Sequence, residues 1–407
     1  MSKSITTIRP IHPFPARMAP SIALRRLSGR KGTLRVLDPM VGSGTTAVAA
    51  RLRGHRAIGF DTDPLALLIA KTWASDIKPK HLRKSAEKVL KEAEKIYKKL
   101  HVKDAYPVGA DKETKAFIRF WFDATNRRQL AALAGSISKI KESVDRTLLW
   151  CAFSRLIITK KIGASLAMDV SHSRPHKKYK TAPIKPFDRF LASVETILKN
   201  SPFSAARKIP IAQIRKGDAR ELPIESRSID LVITSPPYLN AIDYLRGHKL
   251  SLVWMRHWIS DLRELRSRNV GAEHSVDSEL DDELSKALKR MGETTKLPGR
   301  IQDMLKQYLR DMDKVFSEIA RVLRKNGEAV VVIGDSMIKG VFIRNSWALV
   351  SIAKKNGLIL YSSRRRPLLV SRRYLPPPDH RISGKELRAR MREEVLLTFR
   401  KSRKIAI

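Results

Sequence analysis

The sequence predicts a doubly wound α/β fold with a mostly parallel, seven-stranded sheet, on three observations. Seven short apolar runs recur along the chain, helical patterns separate most of them, and the first leads at once into a glycine-rich turn. The runs cover 34–37, 57–60, 212–215, 230–234, 329–333, 358–362 and 395–399. Most are rich in Val, Ile and Leu, which suits strands buried on both faces of a parallel sheet. The last two, joined by a basic, Pro-containing stretch, fit the antiparallel edge hairpin that such sheets often carry.

The interval between the second and third runs is too long for one crossover helix and holds an insertion, 76–204. Its stretch HLRKSAEKVLKEAEKIYKKL has helical periodicity, with Leu90, Ile96 and Leu100 suggesting one apolar stripe. Within it, SHSRPHKKYKTAPIKP is Pro-broken and basic, with Tyr179 among the charges, and reads as a loop over phosphates. A second, polar insertion at 260–299 reads as a helical lid or surface excursion. The catalytic domain is then discontinuous, 12–75 with 205–400.

Composition points to a partner. Lys+Arg number 81 against 40 Asp+Glu, a formal charge of +41, which calls for a polyanion, nucleic acid first and an acidic membrane second. One cysteine, Cys151, excludes an internal disulfide framework and a multi-thiolate zinc site, and fits a reducing cytosol. His172 and His176 lack a supporting cysteine or acid cluster nearby in sequence, so no metal is expected. No signal peptide or membrane span is visible, so a soluble, cytoplasmic protein is expected.

The first strand ends in Asp38, followed by VGSGTT and a helical AVAARLRG. Gly42 and Gly44 give room and unusual φ for backbone to approach a nucleotide-like ligand, and Thr45 or Thr46 can begin the helix. The second strand ends in Asp61, placed to grip ribose hydroxyls. Asp38 would repel a pyrophosphate but attract the ammonium of an amino-acid tail, as in a methyl donor; a helix N-cap is its alternative role. Asp218, after the third strand, suits an acceptor for an adenine amino group, with an Asx turn as the alternative.

After the fourth strand comes TSPPY. Ser235, Pro236, Pro237 and Tyr238 resemble the (S/N/D)PP(Y/F) motif of amino-methyltransferases acting on DNA, enzymes with a Rossmann-like fold that use S-adenosylmethionine. An exocyclic base amine is a poor nucleophile because its lone pair is delocalised into the ring. Two acceptors, the Ser235 hydroxyl oxygen and the Pro236 carbonyl, held by stiff prolines, would draw it toward tetrahedral geometry, and Tyr238 would stack on a base swung out of the helix. HPFPARM, at 12–18, resembles the family segment that closes over the methionine end of the cofactor, and ARVLRKNGEAVVVIGDS its fifth strand. The resemblance implies a cofactor pocket lined by Pro15, Arg17, Asp38, Gly42, Gly44, Thr45, Asp61 and Asp218. It leaves the large insertion unexplained, and the cofactor turn precedes SPPY, the reverse of many Ser-Pro-Pro-Tyr enzymes. Ser in the first position leans toward cytosine N4 over adenine N6.

Three regions compete for target recognition: the 174–185 loop with Arg174, Lys177 and Lys178; the helix after the catalytic loop with Asp243, Arg246 and Lys249; and RRRPLLVSRRYLPPP with Arg364, Arg365, Arg372 and Arg373. DNA is the expected partner, with a companion restriction endonuclease as a further expectation. RNA guanine N2 methylation and a catalytically idle nucleic-acid-binding role are the alternatives.

Overall fold

The computed structural model describes residues 8–15, 17–203, 209–239, 243–271, 279–368 and 393–401. The seven apolar runs are strands: β1 (Arg35–Asp38), β2 (Arg56–Asp61), β3 (Gln213–Lys216), β4 (Ile229–Thr234), β5 (Leu323–Ile333), β6 (Leu358–Pro367) and β7 (Glu393–Lys401). They form one sheet in the order β6-β7-β5-β4-β1-β2-β3. β1 to β5 pair in parallel, and β7 runs antiparallel to both neighbours, with Val395 opposite Ile333 of β5 and Arg365 of β6.

The expected hairpin of the last two strands is present, but β7 lies inside the sheet and β6 forms the edge. Val395, Leu397 and Phe399 of β7 are buried, whereas β6 leaves Ile359, Leu360 and Tyr361 exposed and carries three arginines. A strand apolar on both faces is satisfied only between two others, and a charged one belongs at the rim. β5 also starts earlier than its apolar run, because Arg324 to Gly327 extend as strand without hydrophobic residues.

The helices are α1 (Pro20–Leu27), α2 (Thr45–Leu52), α3 (Pro64–Trp73), α4 (Pro79–Lys99), α5 (Lys112–Trp121), α6 (Ala124–Ser138), α7 (Val144–Ile157), α8 (Pro186–Asn200), α9 (Tyr244–Leu252), α10 (Ile259–Ser267), α11 (Asp282–Arg290), α12 (Gly299–Val322) and α13 (Asn345–Lys355). Val330 and Val332 of β5 face one apolar layer and Val331 and Ile333 the other, the period-two alternation of a strand covered on both sides. Helices α11 to α13 cover one face. The opposite face is covered by α1 to α3, and α4 to α9 join that same layer: Leu133, Phe153 and Phe190 belong to one apolar cluster with Val36 of β1.

On α4 the buried stripe is Leu82, Ala86, Val89 and Ala93, with Leu90 and Ile96 at its flank. The buried face is thus turned from the expected Leu90–Ile96–Leu100 stripe, and its alanines Ala86 and Ala93 suit close approach of α6 and α8. Among the described residues no helix is long and apolar enough to cross a membrane.

Candidate active site

β1 is flanked by β2 on one side and β4 on the other. The winding reverses there, so successive connections leave toward opposite faces and open a crevice at the carboxyl ends of the strands. A cavity of about 480 Å³ lies in it, bordered by Asp38 after β1, Asp61 after β2, Asp218 after β3 and Ser235 after β4. That volume falls within the roughly 300–1,000 Å³ of small-molecule sites.

The turn after β1 is built for close approach. Gly42 (φ +48°) borders the cavity, and a Cβ there would stand 3.6 Å from the Phe14 ring. Its N–H donates to Asp61 Oδ2 at 2.8 Å, tying the turn to the end of β2. Gly44 does not line the cavity. It caps α2 at φ +92°, and a Cβ there would meet the Ala70 backbone at 2.9 Å, so its role is the packing of α2 on α3. Gly44→Ala should therefore lower stability by about 2 kcal/mol or more, from left-handed backbone strain plus the clash, read as a drop in thermal midpoint. Thr45 opens α2 and borders the cavity, its buried hydroxyl without a protein partner.

Asp38 is buried and does not cap α2; its Oδ1 accepts the Met40 N–H at 3.2 Å. Burial pushes its carboxyl up to about 7, outweighing the pull of the Thr234 and Thr46 hydroxyls. Burial, and then the charge of Asp63, push Asp61 up to about 6. Two carboxylates and an unpartnered hydroxyl thus face one cavity, a donor set that suits a ligand carrying an ammonium and ribose hydroxyls and repels a pyrophosphate.

Asp63 was not anticipated. It caps α3 through the Leu65 and Ala66 amides, and its Oδ2 lies 2.5 Å from His248 Nδ1 in α9. Burial alone would raise its pKa; the His248 charge and these hydrogen bonds hold it below the usual carboxylate range. The pair joins the β2 side of the cavity to the helix that follows the Ser-Pro-Pro-Tyr loop. Phe14 stacks on the Tyr244 ring of α9 at 5.7 Å and meets the His248 ring at a tilt, 5.3 Å away. Phe14, Arg17 and Met18 border the cavity, while Pro15 is buried and outside its lining. The signal for Phe14 lay in the HPFPARM segment, of which the resemblance implied only Pro15 and Arg17 as lining residues.

Asp218 borders the cavity, but Arg220 occupies its carboxylate. Oδ1 accepts the Arg220 N–H at 2.9 Å, an Asx turn, and Oδ2 accepts Nη2 at 2.7 Å. The turn that competed with a ligand role at this position is therefore formed. Arg220 also reaches Asp311 of α12 at 2.8 Å and the Arg268 carbonyl at 2.6 Å, and Asp311 accepts the Gly271 N–H at 2.9 Å. This network fixes 266–271, the start of the second insertion, as a wall of the cavity. Arg266 extends the wall by pairing with Asp243 at 2.9 Å.

In the Ser-Pro-Pro-Tyr loop, Ser235 Oγ donates to the Val332 carbonyl of β5 at 3.1 Å and lies 3.4 Å from the Tyr238 hydroxyl. Pro237 and Tyr238 border the cavity; Pro236 is buried outside its lining. The Pro237 carbonyl accepts the Tyr308 hydroxyl of α12 at 3.2 Å, which braces the loop from the opposite layer. Burial raises the Tyr238 pKa, so its ring is neutral at any physiological pH. Cys151 is wholly buried, and burial pushes its thiol up to about 12.

The basic candidates separate into groups. Arg174, Lys177 and Lys178 are exposed on a small ribbon in which 167–168 pairs with 176–177. The ribbon docks on α9: Ser173 Oγ donates to the Tyr244 carbonyl at 3.1 Å, and a Cβ on Gly247 would stand 2.4 Å from the Val170 carbonyl. Asp169 lies between His172 (3.5 Å) and His176 (3.9 Å), an acid the linear sequence did not flag, although among the described residues no group of three could hold a metal. Arg246 is exposed on α9, whose N-cap is Asp243. Arg364 and Arg365 lie in β6, not in a loop, and Arg365 pairs with Glu393 at 3.4 Å. β6 runs parallel to β5, so these arginines stand at the same end of the sheet as Ser235. Arg372 and Arg373 lie outside the described residues.

A family model described as UPF0020: RMKL-like, methyltransferase domain matches residues 9–115, the segment holding Phe14, the glycine turn and Asp61. Over a longer span the chain is 24% identical to the Type II methyltransferase M.MvaI of Kocuria varians, covering 87% of this chain and 83% of that one. It is 25% identical to M.BsoBI of Geobacillus stearothermophilus, covering 75% and 63%, and 26% identical to M.AvaI of Nostoc sp., covering 81% and 74%. Among solved structures, a putative methyltransferase from Bacillus halodurans is 10% identical and covers 94% of this chain and 98% of that one, at a TM-score of 0.34, too loose to bear on the site. The strand order, the acidic crevice at the switch point and these sequence relatives converge: the chain is a methyltransferase whose cofactor is S-adenosylmethionine.

Proposed function

We propose that this enzyme methylates the exocyclic amino group of a base in DNA, with cytosine N4 favoured over adenine N6, acting on a base extruded from the duplex. The observation that carries the reading is the hydroxyl of Ser235, which borders the cavity and lies 3.1 Å from the Val332 carbonyl; donating its proton there leaves a lone pair to accept from an amine. Bound S-adenosylmethionine supplies an electrophilic methyl group. Ser235 accepts an amine N–H, drawing nitrogen lone-pair density out of the ring, and Tyr238 offers a stacking face. The amine's surplus proton passes to solvent. The reaction needs no covalent enzyme intermediate, in keeping with a buried, protonated Cys151.

DNA as substrate is supported by the charge of +41 and by the Type II methyltransferases among the relatives. The ribbon with Arg174, Lys177 and Lys178, which touches α9 beside the catalytic loop, is our choice for target recognition within the 76–204 insertion. A companion restriction endonuclease and a cytoplasmic location belong to the same reading.

The deciding experiment incubates the protein with labelled S-adenosylmethionine and unmethylated DNA, with RNA in parallel, and identifies methylated nucleosides by mass spectrometry. We expect N4-methylcytosine from DNA; N6-methyladenine changes the base, and label in RNA alone overturns the reading. Affinity for duplex DNA should fall steeply with salt, and each neutralised lysine of the pair Lys177 and Lys178 should flatten the logarithmic slope by about one.

A further inference from the structure

Between β5 and α13 the chain makes an excursion with no part in the chemistry above. Residues 336–338 pair antiparallel with 341–343 across a two-residue turn at Lys339 and Gly340, whose φ values of 44° and 81° suit a tight hairpin. Its base is clamped. Asn345 Nδ2 donates to the Gly334 carbonyl at 3.0 Å, and the Ser346 N–H donates to Asp335 Oδ1 at 2.9 Å. The hairpin is thus a fixed post at the carboxyl end of β5, the strand whose Val332 carbonyl receives the Ser235 hydroxyl.

Its two faces differ. Ser336, Ile338 and Ile343 are buried, while Phe342 is 44% exposed and Trp347, in the first turn of α13, is 55% exposed. The Arg344 guanidinium lies 5.7 Å from the centroid of each ring, and the Arg344 N–H donates to the Met291 carbonyl at 2.9 Å, so the cation and both rings sit on anchored backbone. Lys339 is exposed at the tip. Folding gains nothing from leaving two large aromatic rings in water around a cation, and such a group suits stacking on bases and contact with phosphate.

We propose that this hairpin, with Arg344 and Trp347, is a contact surface for duplex DNA beside the extruded nucleotide. Phe342 and Trp347 pack on bases or sugars that the missing neighbour leaves unstacked, and Arg344 and Lys339 meet phosphate. The proposal rests on the reading of DNA as substrate. Charge favours DNA over a second copy of the chain, which would bring a further +41 to the patch.

The test uses a fluorescein-labelled duplex taken from DNA that the wild-type protein methylates, with anisotropy read as a function of salt. Phe342→Ala with Trp347→Ala should weaken binding by about tenfold or more, with an unchanged salt slope. Phe342→Tyr with Trp347→Phe should stay close to wild type, and Arg344→Gln should reduce the slope by about one. Cofactor affinity and thermal midpoint should not move in any of them, because the altered side chains are exposed; if the double alanine variant melts early, the Arg344→Gln slope decides alone, and an unchanged slope overturns the proposal. Wild-type DNA affinity in the double alanine variant, or a change in sedimentation coefficient with DNA affinity intact, overturns the proposal. Wild-type protein that neither binds nor methylates DNA overturns the DNA reading as well, whereas intact methylation with an inert hairpin leaves that reading standing.

Discussion

Ser235→Ala is expected to lower the rate of methyl transfer to DNA by about 10²–10³-fold, while S-adenosylmethionine affinity stays within about twofold. The hydroxyl borders the cavity and, among the described residues, hydrogen-bonds only Val332 and Tyr238, so its removal deletes an acceptor without disturbing the acidic floor. Loss confined to kcat would mark an interaction made in the transition state; a rise in KM alone would mark uniform binding. Tyr238→Phe separates the ring from its hydroxyl. It should retain most activity, because stacking needs the ring, and Tyr238→Ala should lose it with cofactor binding retained. Single-turnover rates with DNA, beside calorimetric cofactor titrations, check the set. Full turnover in both Ser235→Ala and Tyr238→Ala would remove the catalytic loop from the mechanism.

The second large effect is on pH. Asp38 titrates near 7 and Asp61 near 6 in the protein free of ligand, both raised by burial above the ordinary value of 3.8. The native state therefore holds more protons than the unfolded chain between 3.8 and these values, and stability contributed by these groups falls as pH rises through that window. Cofactor binding runs the opposite way, since an ammonium needs an ionised carboxylate. Affinity for S-adenosylmethionine should weaken by up to about tenfold for each unit of pH below 7 down to about 5.5. Calorimetry across this range would show it, and Asp38→Asn should bind weakly at every pH with a flattened profile. A wild-type profile flat between pH 8 and 5.5 would mean that Asp38 does not meet the ammonium.

The strands were legible because each is a short apolar run whose period and flanks need no distant partner to be recognised. The glycine turn, Asp38, Asp61 and the Ser-Pro-Pro-Tyr loop were legible for a related reason: close backbone approach demands glycine, and the motif is contiguous. Asp218 shows where this stops. Its place at a strand end was readable, but the Arg220 that occupies it engages Asp311, 91 residues further along the chain, an ion pair that no local pattern encodes. Pro15, Pro236 and Gly44 belong to segments that border the cavity yet lie outside its lining, since which side of a turn faces the crevice depends on how the neighbouring elements pack.

By itself the sequence determined the order of strands along the chain, the acidic and glycine-rich elements that border the cavity and a strongly positive charge, because local periodicity, backbone sterics and composition act without regard to the fold. Only the tertiary structure decided the rest. It put β7 inside the sheet and β6 at the edge, merged the 79–200 helices into the layer against β1, and set Asp63 against His248 across 185 residues. It brought 266–271 round to wall the cavity and left Phe342 and Trp347 exposed beyond the carboxyl end of β5. These outcomes depend on which surfaces meet once apolar area is buried and most buried polar groups have found partners, and those pairings join residues too far apart in the chain for any local pattern to record them.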